Sequence, residues 1–103
     1  MEIVFPNKKL LDLYESGSGR PLRLEQRVVD SFFEVGAILE AAKDIHDLWR
    51  RPGLNFKRLQ GQKNHYSARL DRKWRLELGI EWTGKAMTIG IIGLEEITNH
   101  YGD

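Results

Sequence analysis

Apolar residues recur along this chain at two different periods, and the change from one to the other falls near Gly53. Glu2 to Phe5 reads as a short strand stopped by Pro6, which has no N–H to give to a ladder. Asn7 can then cap a helix over Leu10, Leu11, Leu13 and Tyr14, which stops at the flexible Ser16-Gly17-Ser18-Gly19 loop. Pro21 stands where a helix can begin, and Leu24, Val28, Phe32, Val35, Leu39, Ala42, Ile45 and Trp49 follow at steps of three or four. The spacing predicts one long amphipathic helix ending near Arg50, because Arg51 precedes Pro52 and is biased out of helical geometry. Gly36 inside it costs roughly 1 kcal/mol relative to alanine, so a close contact with another element such as the first helix is expected there.

Beyond Gly53 the period drops to two. Phe56 to Leu59 fits a short strand, and His65 to Leu70 alternates Tyr66, Ala68 and Leu70 with His65, Ser67 and Arg69. Lys73 to Trp82 alternates again, with Trp74, Leu76, Leu78, Ile80 and Trp82 on one face and Arg75, Glu77, Gly79 and Glu81 on the other. Thr83-Gly84-Lys85 makes a turn, and Ala86 to Leu94 is apolar and β-branched enough for a buried strand, leaving Glu95-Glu96 as its solvated end. The expected architecture is α+β: an N-terminal strand and two helices packed on a small twisted antiparallel sheet, forming one domain over residues 1–103.

Composition narrows the class. Apolar residues make up 41% of the 103, which argues against disorder, and no run approaches the ~18 apolar residues of a membrane span. The acidic, polar start lacks the features of a secretory signal, so an intracellular, cytoplasmic protein is expected. The absence of cysteine excludes disulfides, thiol nucleophiles and thiolate metal sites. There is no metal-ligand spacing, no phosphate loop and no implied cofactor. The net charge of +1 hides a segregated block: Arg50, Arg51, Lys57, Arg58, Lys63, Arg69, Arg72, Lys73 and Arg75 stand against the single acid Asp71. Such a block is either a solvated surface or the electrostatic footprint of a polyanion.

Strand parity favours the second. If Leu70 faces Trp74, then Ala68 faces Leu76, Tyr66 faces Leu78, and Asp71-Arg72-Lys73 form the loop. Arg69 must then lie opposite Arg75, and like charges in that position repel unless they hold an anion or Glu77, in the next pair on that face, neutralises Arg75; one carboxylate cannot balance Arg69, Arg75, Lys63 and Lys57 together. Arginine suits phosphate because its planar fork donates parallel hydrogen bonds and keeps its proton. Proton transfer falls to histidine or tyrosine, and His100-Tyr101 in the tail and His65, on the side of Arg69, are the candidates. His46 in the long helix reads as an ordinary surface histidine, and Trp82, on the apolar face, as core.

Four short stretches in order, Pro52-Gly53-Leu54, Leu59-Gln60-Gly61, Tyr66-Ser67-Ala68-Arg69 and Trp74-Arg75-Leu76, resemble the RelE/ParE superfamily, and its HigB branch in particular. The resemblance implies a RelE-like, microbial RNase-like fold and the toxin of a type II toxin–antitoxin pair. Such a toxin enters the ribosomal A site, cleaves mRNA as a metal-independent endoribonuclease, and is blocked by a cognate antitoxin, here a HigA-like protein with a helix-turn-helix. By position it gives Arg69 and Arg75 the scissile phosphate, and Lys57, Arg58, Lys63 and His65 the basic approach to it. Where family members end in an aspartate-tyrosine-histidine cluster, this chain has Asn99-His100-Tyr101, so His100 and Tyr101 take the proton-transferring roles and Asn99 an RNA contact. Two other readings fit the same fold: a binding-only, ParE-like inhibitor of DNA gyrase, and an inactive relative that still binds its antitoxin.

Overall fold

The computed structural model describes residues 1–99, and in them the sheet organises everything else. Its strands are β1 (Ile3–Val4), β2 (Lys57–Arg58), β3 (His65–Arg69), β4 (Arg75–Trp82) and β5 (Gly90–Thr98), in the spatial order β1-β5-β4-β3-β2. Helices α1 (Lys8–Ser16), α2 (Gln26–Ala41) and α3 (Ile45–Trp49) bury Leu10, Leu13, Val28, Phe32, Leu39 and Leu48 in one cluster with Leu76, Leu78, Ile80, Ile92 and Leu94 of the sheet. Each fully buried leucine or isoleucine contributes about 1.5–3 kcal/mol. The other face of β3 and β4 carries their polar positions, and the site is built there. This is the α+β architecture the periodicity predicts.

Local chemistry sets the ends of α1. The Asn7 side chain accepts from the Lys9 N–H at 2.9 Å and donates to the Glu95 carbonyl at 2.8 Å, which ties the helix start to β5. Gly17, at φ +73°, closes the other end by donating to the Leu13 carbonyl.

Three expectations are corrected. The long helix is two helices preceded by a 3-10 turn at Arg20–Leu22, because Asp44 caps α3 by accepting from the N–H groups of His46 and Asp47. The Met1 ammonium meanwhile donates to the Leu39, Glu40 and Ala42 carbonyls at the end of α2. The apolar spacing runs across the break because both helices rest on the same core; Leu48 is buried there, whereas Trp49 is 45% exposed. The sheet is not wholly antiparallel, since β1 joins β5 in parallel, Ile3 opposite Ile92 and Val4 opposite Gly93. The last strand starts at Gly90 instead of Ala86 and continues through Thr98, so Glu95 and Glu96 lie inside it. A bulge absorbs Glu95: Glu77 pairs with Glu96 and Leu78 with Leu94. Among the described residues no helix is long and apolar enough to cross a membrane.

Gly36 is buried against Tyr14 of α1, as its mid-helix position anticipates, but a Cβ added there would stand 3.6 Å from the ring, an ordinary contact. The space therefore does not demand glycine. Gly36→Ala is expected to raise stability by about 0.5–1 kcal/mol through helix propensity and a stiffer unfolded chain. Urea denaturation checks this, and a loss of stability would show that the α1–α2 contact cannot take the methyl group.

Candidate functional site

The β3–β4 hairpin adopts the register that parity dictates. Ala68 lies opposite Leu76, Tyr66 opposite Leu78, Ser67 opposite Glu77, His65 opposite Gly79, and Arg69 directly opposite Arg75. The loop is fixed by Asp71, whose Oδ1 accepts from the N–H groups of Lys73 at 2.8 Å and Trp74 at 2.7 Å. Burial alone would raise the Asp71 carboxyl. The two backbone donors, with Arg27 and Arg69 close by, outweigh it and hold the group below its ordinary value.

Two guanidinium groups on facing Cα atoms avoid each other by taking different paths. Arg69 stays exposed, whereas Arg75 is only 6% exposed and runs over the neighbouring Ser67. Its Nε donates to Ser67 Oγ at 2.9 Å, and its Nη2 donates to the Ser67 carbonyl at 3.2 Å and to the Asn55 carbonyl. The expected pairing of the two arginines holds, but only Arg69 is open to solvent and Arg75 is buried. Its reason is the small, polar Ser67 in the next row, which leaves room for the side chain and accepts from it. These acceptors are a hydroxyl and two carbonyls, and they fix the orientation of the guanidinium.

Arg69 and Arg75, with Lys57, Arg72, Asn55 and Asp71, line a depression of about 260 Å³. Lys57 joins it because it pairs with Ser67 in β2 and so shares the outer face. Arg69 also reaches a second depression of about 370 Å³, between α2 and the 3-10 turn Pro52–Leu54, beside Arg50 and Arg51. Thr98 stands opposite Arg75 across β4 and β5, and exposed Asn99 follows directly, which puts the start of the tail at this end of the sheet. His100 and Tyr101 lie outside the described residues.

The other expected RNA contacts do not gather here. Arg58 pairs with Tyr66 and its guanidinium carbon lies 5.8 Å from that ring's centroid, because a one-residue step along β2 changes the face. Lys63 and His65 line a separate depression; four residues along β3 put His65 about 13 Å from Arg69. His65 is also engaged: Nδ1 faces the Lys63 carbonyl at 2.8 Å and Nε2 faces the Glu95 carboxylate at 3.1 Å. Its place as a proton carrier beside the arginines is therefore corrected. Trp82 is half-buried and donates from Nε1 to Asn64 Oδ1 at 3.0 Å, as a core-edge residue.

Sequence reasoning missed Ser67 and Asn55 as the anchors of Arg75, and Glu95 as the partner of His65; it counted Arg72 in the basic block without placing it beside the two arginines. Ser67 was legible, since parity sets it one row from Arg75. Asn55 carried a weaker sign: it follows Pro52-Gly53-Leu54 and takes the left-handed conformation, φ +43°, that asparagine tolerates.

Because the folded chain holds the Asp71 carboxyl below its ordinary value of 3.8, its contribution to stability is complete above that pH and is lost as pH falls below it. Asp71→Asn is expected to lower stability by about 1 kcal/mol at neutral pH, with the difference vanishing in strong acid. Denaturation at several pH values checks the sign, and a deficit unchanged by acid would contradict it.

No family model and no curated protein matches the sequence. Among solved structures, the YoeB/ParE toxin from Agrobacterium tumefaciens superposes with a TM-score of 0.56 at 16% identity, covering 98% of this chain and 100% of that one. At that identity the likeness is one of fold: the chain shares the architecture of that structure.

Proposed function

We propose that this chain is the toxin of a type II toxin–antitoxin pair, of the HigB-like branch, and that it cleaves mRNA in the ribosomal A site. The observation that carries the reading is the directly opposed pair Arg69 and Arg75, which lines a depression with two further cations on the outer face of the sheet.

The reaction that suits this site is internal phosphoryl transfer. The 2′-hydroxyl oxygen bonds to the adjacent phosphorus, the bond to the 5′-oxygen of the next nucleotide breaks, and the products are a 2′,3′-cyclic phosphate and a 5′-hydroxyl. One proton must leave the attacking oxygen and one must reach the departing oxygen. Arg75, already oriented by Ser67 and Asn55, supplies charge to the phosphoryl oxygens without reorganising at the moment of reaction. Exposed Arg69 completes the clamp from the rim, and Lys57 and Arg72 attract the flanking phosphates. The proton-transferring roles are assigned to His100 and Tyr101, with Asn99 contacting the RNA. The inhibitory partner is an antitoxin with a helix-turn-helix, and the place of action is the cytoplasm.

Arg69→Ala is expected to lower cleavage 100-fold or more with the melting temperature unchanged, since the side chain is exposed. Arg75→Ala is expected to abolish cleavage and also to cost about 1–3 kcal/mol, because it strands the groups that now accept from the guanidinium. Primer extension on transcripts after induction, with thermal melts, reads both effects. Growth arrest without new 5′ ends, accompanied by DNA breaks, would overturn the nuclease in favour of a gyrase inhibitor.

A further inference from the structure

Beside the phosphate site, at the end of β3, a groove of about 370 Å³ runs between α2 and the 3-10 turn Pro52–Leu54. Its floor is apolar, made by the buried side chains of Val35, Leu54 and Leu70. Its rim is cationic, with Arg50, Arg51 and Arg69 standing against one carboxylate, that of Glu34. Arg50 is engaged by Asp47 at 2.9 Å, whereas Arg51 is exposed and takes part in no ion pair among the described residues. Arg69 lines this groove and also the depression that holds Arg75, so the two open onto one shared guanidinium.

We infer that this groove receives the nucleotide next to the phosphate held by Arg69 and Arg75, with its base on the apolar floor and its own phosphate at Arg51. Two demands select the occupant. The rim carries an excess of guanidinium groups, whose planar forks suit phosphate oxygens, so the ligand is an anion. The floor is aliphatic, so the ligand also brings an apolar surface to cover it. A bare phosphate meets only the first demand and a neutral apolar molecule only the second; a nucleotide meets both, one with its phosphate and the other with the face of its base. Every base has such a face, so the site is not selective among the four. An acidic peptide with an apolar side chain would satisfy the same two demands. Arg69 decides between them: it belongs to the phosphate site as well, so a strand clamped there continues into the groove without leaving the surface.

This inference rests on the reading of the chain as an RNA-acting protein, and the test keeps the two apart. The full chain is titrated with a short single-stranded adenosine oligomer, 2′-O-methylated so that it cannot be cut, and with an abasic strand of the same length and charge, while methyl resonances are followed. The base-bearing strand is expected to move the Val35, Leu54 and Leu70 methyls through its ring current, and the abasic strand to leave them in place. Arg51→Ala should weaken binding and flatten the slope of log affinity against log salt by about 0.7, the share of one phosphate on a single strand. Glu34→Gln, which removes the carboxylate from the rim, should tighten binding about twofold, with melting curves showing both variants folded. Equal methyl shifts from the two strands, methyls that neither strand moves, a slope unchanged in Arg51→Ala, or no gain in Glu34→Gln would each overturn the proposal. So would methyls that move with a peptide rich in leucine and glutamate but not with RNA. If the oligomer moves the methyls while no transcript is cut in cells, the nuclease reading fails and the groove stands. If transcripts are cut while the methyls stay silent, the groove fails alone.

Discussion

A guanidinium laid across its own sheet joins three separate pieces of this chain. Arg75 belongs to β4, Ser67 to β3, and Asn55 to the turn that leads into β2, and the hydrogen bonds from Arg75 hold them as one surface. The arrangement depends on the hairpin register: a slip by one residue would send Arg75 into the apolar core and Leu76 into water. The same register sets Arg69 opposite, where the two charges oppose each other in the resting protein. That repulsion is tolerable because Arg75 lies down over Ser67 while Arg69 remains in solvent, which screens it. The fold supplies the difference in burial: one cation is fixed in place and the other is exposed.

The outer face is asymmetric along its strands. The end that carries Arg69, Arg75, Lys57 and Arg72 is cationic, and the opposite end carries Glu95, Glu81, His65 and Lys63 around two glycines. Glu77 and Glu96 face each other between these ends. A single-stranded polyanion laid along such a face would be drawn to the cationic end by charge and would meet carboxylates at the other.

How much of this was legible in the sequence depends on the kind of signal. The outer face of the hairpin was readable to the residue, because strand period is two and core identity fixes parity: Tyr66, Ala68 and Leu70 could face only Leu78, Leu76 and Trp74. The alternation could not reveal how a side chain lies once it leaves the backbone, so the burial of Arg75 was invisible although its position was not. The helix break at Ala42–Asp44 escaped because apolar periodicity reports which face is buried, not whether the axis is continuous, and both segments rest on one core. The bulge escaped for a related reason. It adds one residue without disturbing the apolar count, and by moving Glu95 over Gly79 it turned an apparent strand end into the partner of His65.

The claim beneath the account is that Arg69 acts as one member of a phosphate clamp and not as a solvated surface charge. Its most direct test is the salt dependence of binding to a short single-stranded RNA, compared between the wild-type chain and Arg69→Ala. If Arg69 neutralises a phosphate, the slope of log affinity against log salt should flatten by about 0.7 in the variant, the share of one counterion released from a single strand. An unchanged slope, with affinity lowered or not, would contradict the clamp.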